Sequence, residues 1–206
     1  FRCPSVLLTG NPVRKELLQE GAGEKRPGGF SVLVVGGSQG ARSINDAFLS
    51  ALEHLADKGK ALHGVHQTGE ADYERVLRAY REKGLQGEVF PFIEGMAAAY
   101  ARADIVVSRA GATTLSELAA LGKPSILIPY PHAANRHQEL NARTLVNAGG
   151  AEMILQDRLG GEALADLLVK YMDDRAALTR MAARVKALGR PNAVEVIADR
   201  LLEMTQ

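Results

Sequence analysis

Residues 104–129 read DIVVSRAGATTLSELAALGKPSILIP. Two apolar runs, 105–107 and 125–128, bracket a glycine turn and a helical pattern. That pattern predicts a strand–turn–helix–strand unit. The segment Ser108-Arg109-Ala110-Gly111-Ala112-Thr113-Thr114 falls where the first strand ends and the helix begins. Open α/β sheets bind their ligands outside that carboxyl edge. Hydroxyls and a bare glycine backbone at a helix start are the equipment of an anion site.

Working outward, the same alternation recurs. Residues 5–9 (SVLLT) read as a short strand, followed by Pro12 placed to open a helix over 13–19. Residues 21–29 form a polar, glycine-rich loop. Residues 31–35 (SVLVV) are a strand of the kind buried on both faces. GGSQG (36–40) follows, then a helix with Ile44, Ala47, Phe48, Ala51, Leu52 and Leu55 on one face. Further strands are expected at 61–68, 88–91 and 151–155, with helices at 70–83, 97–101 and 135–147. Residues 159–206 are a helical tail, broken near Asp173 and at Gly189-Arg190-Pro191. Strand and helix alternate throughout, which implies an α/β doubly wound parallel sheet over residues 1–206. The last helix, 192–204, is amphipathic with no strand after it. It either packs on the same sheet or docks on something outside this sequence.

The bulk numbers narrow the class. The chain has 206 residues, long enough for its own core. Lys and Arg number 25 against 24 Asp and Glu, so no basic face points to nucleic acid. Cys3 is the one cysteine, which excludes a disulfide framework and fits a reducing compartment. No apolar run approaches the roughly 18 residues of a membrane span. The sequence opens without methionine, which suggests a piece of a longer protein.

Each candidate site residue has two readings. GGSQG is neither G-x-G-x-x-G nor a Walker loop, because its third glycine is misplaced and no Lys-Ser/Thr follows. Its glycines permit close backbone approach to a phosphate, with Ser38 adding a hydroxyl. Alternatively it is a tight turn with Ser38 as N-cap. Thr114-x-x-Glu117 fits a capping box; a carboxylate there also suits ribose hydroxyls. Arg109 is a pyrophosphate partner or a surface ion pair. Asn135-x-x-Gln138 repeats the capping spacing, or aims an amide at sugar hydroxyls. Ile93 is a base-edge contact through its backbone, or core. Arg14 is open in the same way. His132 and His137 lack metal-pair spacing, so no metal is expected. No nucleophile stands beside a general base. The residues alone describe a nucleotide or nucleotide-sugar site without its chemistry.

GNPVR (10–14), VVGGSQGARSIN (34–45), FIEGMAAAYARADIVVSRAGATTLSELAALGKPSILIPYP (92–131) and NRHQELNA (135–142) closely resemble the MurG family of GlcNAc transferases. The resemblance is collinear from residue 10 to about 150. It implies the Rossmann-like, C-terminal, donor-binding half of a GT-B glycosyltransferase, with the final helix crossing to an N-terminal domain outside this sequence. It further implies UDP-GlcNAc as donor and, as acceptor, the C4 hydroxyl of undecaprenyl-pyrophosphoryl-MurNAc-pentapeptide (lipid I), converted with inversion to lipid II. No cofactor is implied. By the same resemblance the whole protein would be cytoplasmic, peripheral on the inner face of the bacterial cell membrane.

Residue by residue, the resemblance puts Ser38 at the donor phosphates, the Ile93 backbone at uracil and Met96 over the nucleoside. Thr113 and Thr114 would meet the pyrophosphate at the helix mouth, with Ala112, Leu115 and Ser116 as further donor-binding positions. Glu117 would hold the ribose, Gln138 the GlcNAc hydroxyls, and Arg14 another donor position. Arg109 would stabilise the leaving UDP. Two other arrangements fit the same nucleotide site: half of a UDP-GlcNAc 2-epimerase, or the soluble subunit of a split GlcNAc transferase.

Overall fold

In the computed structural model, residues 6–19 and 29–204 are described. The elements run α1 (Lys15–Gln19), β1 (Ser31–Val35), α2 (Arg42–Asp57), β2 (His63–Gln67), α3 (Tyr73–Glu82) and β3 (Gly87–Phe90). They continue with α4 (Met96–Arg102), β4 (Ile105–Ser108), α5 (Ala112–Leu121), β5 (Ser125–Leu127) and α6 (His137–Asn147). The chain closes with β6 (Ala151–Met153), α7 (Gly161–Asp173), α8 (Arg175–Lys186) and α9 (Ala193–Glu203). The sheet is wholly parallel, in the order β3-β2-β1-β4-β5-β6. This is the doubly wound arrangement expected from the alternation of elements.

Strand alternation divides the core in two. Val32, Val34, Ile105, Val107, Ile126 and Ile128 face α2 and α7. Leu33, Val65, Val106 and Leu127 face α1, α4, α5 and α6. Each central strand is apolar on both faces because helices cover both. Helix α8 crosses one end, giving Leu178 and Met181 to the first layer and Val185 to the second.

The sequence expectations fail in a few places. Residues 6–9 form no strand, and residue 5 and most of 21–29 lie outside the described residues. Val6, Leu7 and Leu8 are exposed, and the Leu8 carbonyl accepts a hydrogen bond from Arg190. The apolar run has no sheet edge to join. With Val196 and Met204 of the α9 region, Val6 and Leu7 line an open cleft. Only Ala193 of α9 is buried, while Leu201, Leu202 and Met204 are exposed. Helix α9 therefore does not pack on the sheet as α7 does. Among the described residues no helix is long and apolar enough to cross a membrane.

A polar network lies beneath the carboxyl end of β2. The His66 ring meets the Asn45 Oδ1 at 3.0 Å, and Asn45 Nδ2 donates to the Thr68 carbonyl and the Asp72 carboxylate. Burial pushes the His66 pKa down to about 3, so the ring stays neutral. The network holds the turn at Thr68–Gly69, against which the GGSQG loop packs.

Candidate functional site

The crossover from β1 runs to β2 on one side, while that from β3 returns to β4 on the other. The sheet thus switches direction between β1 and β4, where ligands of such sheets lodge. Two loop–helix junctions flank this point. After β1, residues 36–40 lead into α2; after β4, residues 109–111 lead into α5. Neither helix has a side-chain cap: the N-cap residues are Ala41 and Gly111. Their positive dipole ends and first-turn amides face this point, apart from the Ile44 amide, which donates to the Ala41 carbonyl.

Ser38 is exposed in its loop and is not the N-cap of α2, which starts four residues later. The intervening turn closes through the Gly40 amide on the Gly37 carbonyl. Ala112 and Thr113 are exposed at the mouth of α5, with Thr114 half-buried behind them. Leu115 packs in the core, so only its backbone faces the junction. Ser116 donates to the Ala112 carbonyl and accepts from Asn11.

Arg109 joins three elements. Its guanidinium donates to the carbonyls of Ile128 and Pro129 beyond β5 and to the Ser43 hydroxyl in the first turn of α2. It also stacks on Tyr130, 5.4 Å from the ring centre. Among the described residues no carboxylate pairs with it, so the surface ion-pair reading is set aside. Burial lowers its pKa, yet a guanidinium remains cationic at neutral pH. A half-buried positive charge with only neutral acceptors stands at the sheet's carboxyl edge.

Glu117 is not part of a capping box. Helix α5 begins at Ala112, which puts Thr114 inside the first turn and Glu117 in the second. The extended backbone of Gly111 starts the helix early, and the Leu115 amide bonds the Gly111 carbonyl. The Glu117 carboxylate, 7% exposed, accepts from Tyr100 Oη at 3.1 Å and from Arg14 Nη2 at 3.3 Å. Burial, then the adjacent carboxylate, raises the Tyr100 pKa, so the phenol remains a donor. A carboxylate has about four acceptor positions, and the described residues use two of them. Arg14 is largely exposed at its rim. Arg14, Met96 and Gly95 also line a cleft of about 260 Å³.

Ile93 is buried, and its amide donates to Gln67 Oε1 at 2.9 Å. Its N–H is therefore occupied, and the backbone reading of Ile93 narrows to its carbonyl. Gln67 itself was not singled out from sequence. The one available signal was a polar residue ending a strand at the ligand edge. Tyr100 was missed too, because its spacing looked like ordinary helix core.

Gln138 is brought to the same edge. Its Oε1 accepts from the amides of Ala110 and Tyr130, tying the loops after β4 and β5 together. Asn135 does not cap α6. Asn135 and Arg136 both adopt left-handed backbone, at φ 50° and 53°, and Arg136 is the N-cap residue without a side-chain cap bond. Two such non-glycine residues in succession are strained, and they aim the first turn of α6 at Ala110. His137 Nδ1 lies 2.8 Å from the Ala134 carbonyl, and His132 packs edge-on against Tyr130.

Comparison with known proteins follows the same outline. The family model described as "Glycosyltransferase family 28 C-terminal domain" matches residues 31–197. A Myxococcus xanthus protein named UDP-N-acetylglucosamine–N-acetylmuramyl-(pentapeptide) pyrophosphoryl-undecaprenol N-acetylglucosamine transferase is 48% identical over 198 residues. The match covers 94% of this chain and 51% of that protein. The crystal structure of Acinetobacter baumannii MurG superposes with a TM-score of 0.81 at 33% identity, over 91% of this chain and 55% of that one. A Neisseria meningitidis UDP-GlcNAc 2-epimerase bound to UDP-GlcNAc superposes with a TM-score of 0.57 at 15% identity, covering 86% of this chain and 45% of that one. That last likeness is one of fold. The chain spans about half the length of the curated relatives it matches.

Proposed function

Because the chain belongs to the glycosyltransferase family 28 C-terminal domain family, we propose that it is the UDP-GlcNAc-binding half of a transferase that converts lipid I to lipid II. The observation that carries this reading is the Arg109 guanidinium, which meets only neutral groups among the described residues and stands by two uncapped helix starts. That arrangement suits a diphosphate that must depart with its charge. Inversion requires the acceptor C4 oxygen to attack the anomeric carbon from the face opposite the diphosphate. The new C–O bond forms as the bond to the β-phosphate oxygen breaks, and both electrons leave with UDP. The acceptor proton goes to a base on the other half of the protein, which also supplies lipid I and the peripheral contact with the inner membrane face.

In this reading the diphosphate meets Ser38 and the mouth of α5 from Ala112 to Ser116, and the uracil edge meets the Ile93 carbonyl. Met96 and Arg14 border the nucleoside. Glu117 takes the ribose hydroxyls on its free acceptor positions, with Tyr100 holding the carboxylate in place. Gln138 borders the sugar. The epimerase reading has fold likeness alone behind it.

The ribose role is tested with Glu117→Gln and calorimetry. The substitution keeps the shape but removes the charge that strengthens each hydroxyl bond and turns one acceptor oxygen into a donor. UDP affinity falls about tenfold, equivalent to about 1.4 kcal/mol. Binding of 2′,3′-dideoxy-UDP, already weak, changes little. Equal losses for both ligands would remove Glu117 from the ribose and leave it an anchor for Tyr100 and Arg14.

A further inference from the structure

Gln67 is the last residue of β2 and is 2% exposed. Its side chain spans two loops that the sheet topology separates. Nε2 donates to the Gly37 carbonyl in the loop after β1, at 3.1 Å. Oε1 accepts from the Ile93 amide in the loop after β3, at 2.9 Å. The amide has one workable orientation, because a flip would set donor against donor at Ile93 and acceptor against acceptor at Gly37. Only a side chain with a donor and an acceptor on one rigid plane satisfies both.

We infer that Gln67 is a positioning residue that couples the phosphate-side loop to the base-side loop, so that ordering one presets the other. The inference rests on the donor-binding reading above. Gly37 has a positive φ of 98° with nothing within 4 Å of where a Cβ would stand, and its carbonyl takes two bonds, one from the Gly40 amide within the loop and one from Gln67, the link to the rest of the sheet edge. At Ile93 the Gln67 bond uses up the amide, and the carbonyl is the backbone group left to meet a base. Gln67 thereby fixes both the direction of that carbonyl and the hydrogen-bonding character shown to the base: an acceptor, which favours the N3–H of uracil over the unprotonated N3 of cytosine. The Gly37 carbonyl and the Ile93 amide, anchored on one side chain, also move together when a ligand settles on either loop.

Two substitutions separate the halves of this bridge. Gln67→Leu removes both bonds, whereas Gln67→Glu keeps an acceptor for the Ile93 amide and turns a carboxylate oxygen on the Gly37 carbonyl. The readouts are calorimetry with UDP and CDP, and hydrogen exchange of the Ile93 amide in the ligand-free chain. In Gln67→Leu, Ile93 exchange rises about tenfold or more, and the UDP-over-CDP ratio shrinks at least about fivefold. In Gln67→Glu, Ile93 stays protected and the ratio holds, while both affinities fall about tenfold. A residue that merely supports the fold would lower UDP and CDP by the same factor in both variants. That result, or unchanged Ile93 exchange in Gln67→Leu, overturns the inference. If the unsubstituted chain ignores uridine nucleotides, the donor-binding reading falls, and the exchange measurement still decides whether Gln67 holds the two loops.

Discussion

Replacing Arg109 with alanine weakens UDP binding about 10- to 100-fold and leaves uridine binding unchanged. The magnitude follows from a hydrogen-bonded charge acting on a diphosphate in a partly dry site, about 1.5–3 kcal/mol. The selectivity follows from placement. Arg109 sits at the end of β4 and bonds the first turn of α2 through Ser43, whereas Ile93 and Met96 lie beyond β3, on the far side of β2 and β1. Arg109 also staples the chain beyond β5 through the Ile128 and Pro129 carbonyls. Arg109→Lys separates the two duties. It keeps the charge but loses the fork that reaches two carbonyls and a hydroxyl at once. The lysine variant therefore recovers part of the UDP affinity. Calorimetry with uridine, UMP and UDP reads all of this. Equal losses for uridine and UDP would make Arg109 a staple and nothing more.

The second large effect is on stability. Gly40→Ala destabilises the fold by about 4 kcal/mol, lowering Tm by about 10 °C for a chain of this size. Gly40 has a φ of 77°, and a Cβ built there would lie 1.9 Å from the Thr68 carbonyl oxygen. The obstruction is backbone, so no side chain can swing aside. Gly69 answers it from the loop after β2, where a Cβ would lie 2.3 Å from the Gln39 carbonyl. The loops after β1 and β2 are interlocked, glycine against carbonyl on both sides. The Thr68 carbonyl cannot retreat, because Asn45 holds it. Gly37→Ala is the control: its φ is also positive, but nothing lies within 4 Å of the added carbon. That change costs only the backbone strain, about 1–2 kcal/mol. Thermal or denaturant unfolding of the two variants checks the difference, and equal costs would contradict the interlock.

These residues also show what a sequence discloses and what it withholds. The sheet was readable because parallel central strands are apolar on both faces, as in SVLVV and DIVVS, and because α2 keeps its apolar residues on one face. The ligand edge was readable because glycine loops follow strands directly. Capping spacing misled twice, at Thr114–Glu117 and Asn135–Gln138. A spacing of three residues does not say where a helix begins, and Gly111 and the left-handed pair Asn135–Arg136 moved both starts. The strand expected at 5–9 failed for a related reason: apolarity marks a surface to be covered, and here no strand edge covers it. The tertiary partners of the site were out of reach. Glu117 meets Arg14, 103 residues away, and Gln67 meets loops 30 residues before and 26 after it. Such pairs depend on strand order, which a single sequence leaves open.

In the proposed function the β1/β4 switch point holds the diphosphate of a uridine sugar. Calorimetric titration of the chain with UDP-GlcNAc and with ADP-glucose tests it most directly. UDP-GlcNAc binds at least about 100-fold more tightly than ADP-glucose, because the site meets the base edge through the Ile93 carbonyl as well as the phosphates. Equal or tighter binding of ADP-glucose would contradict the account.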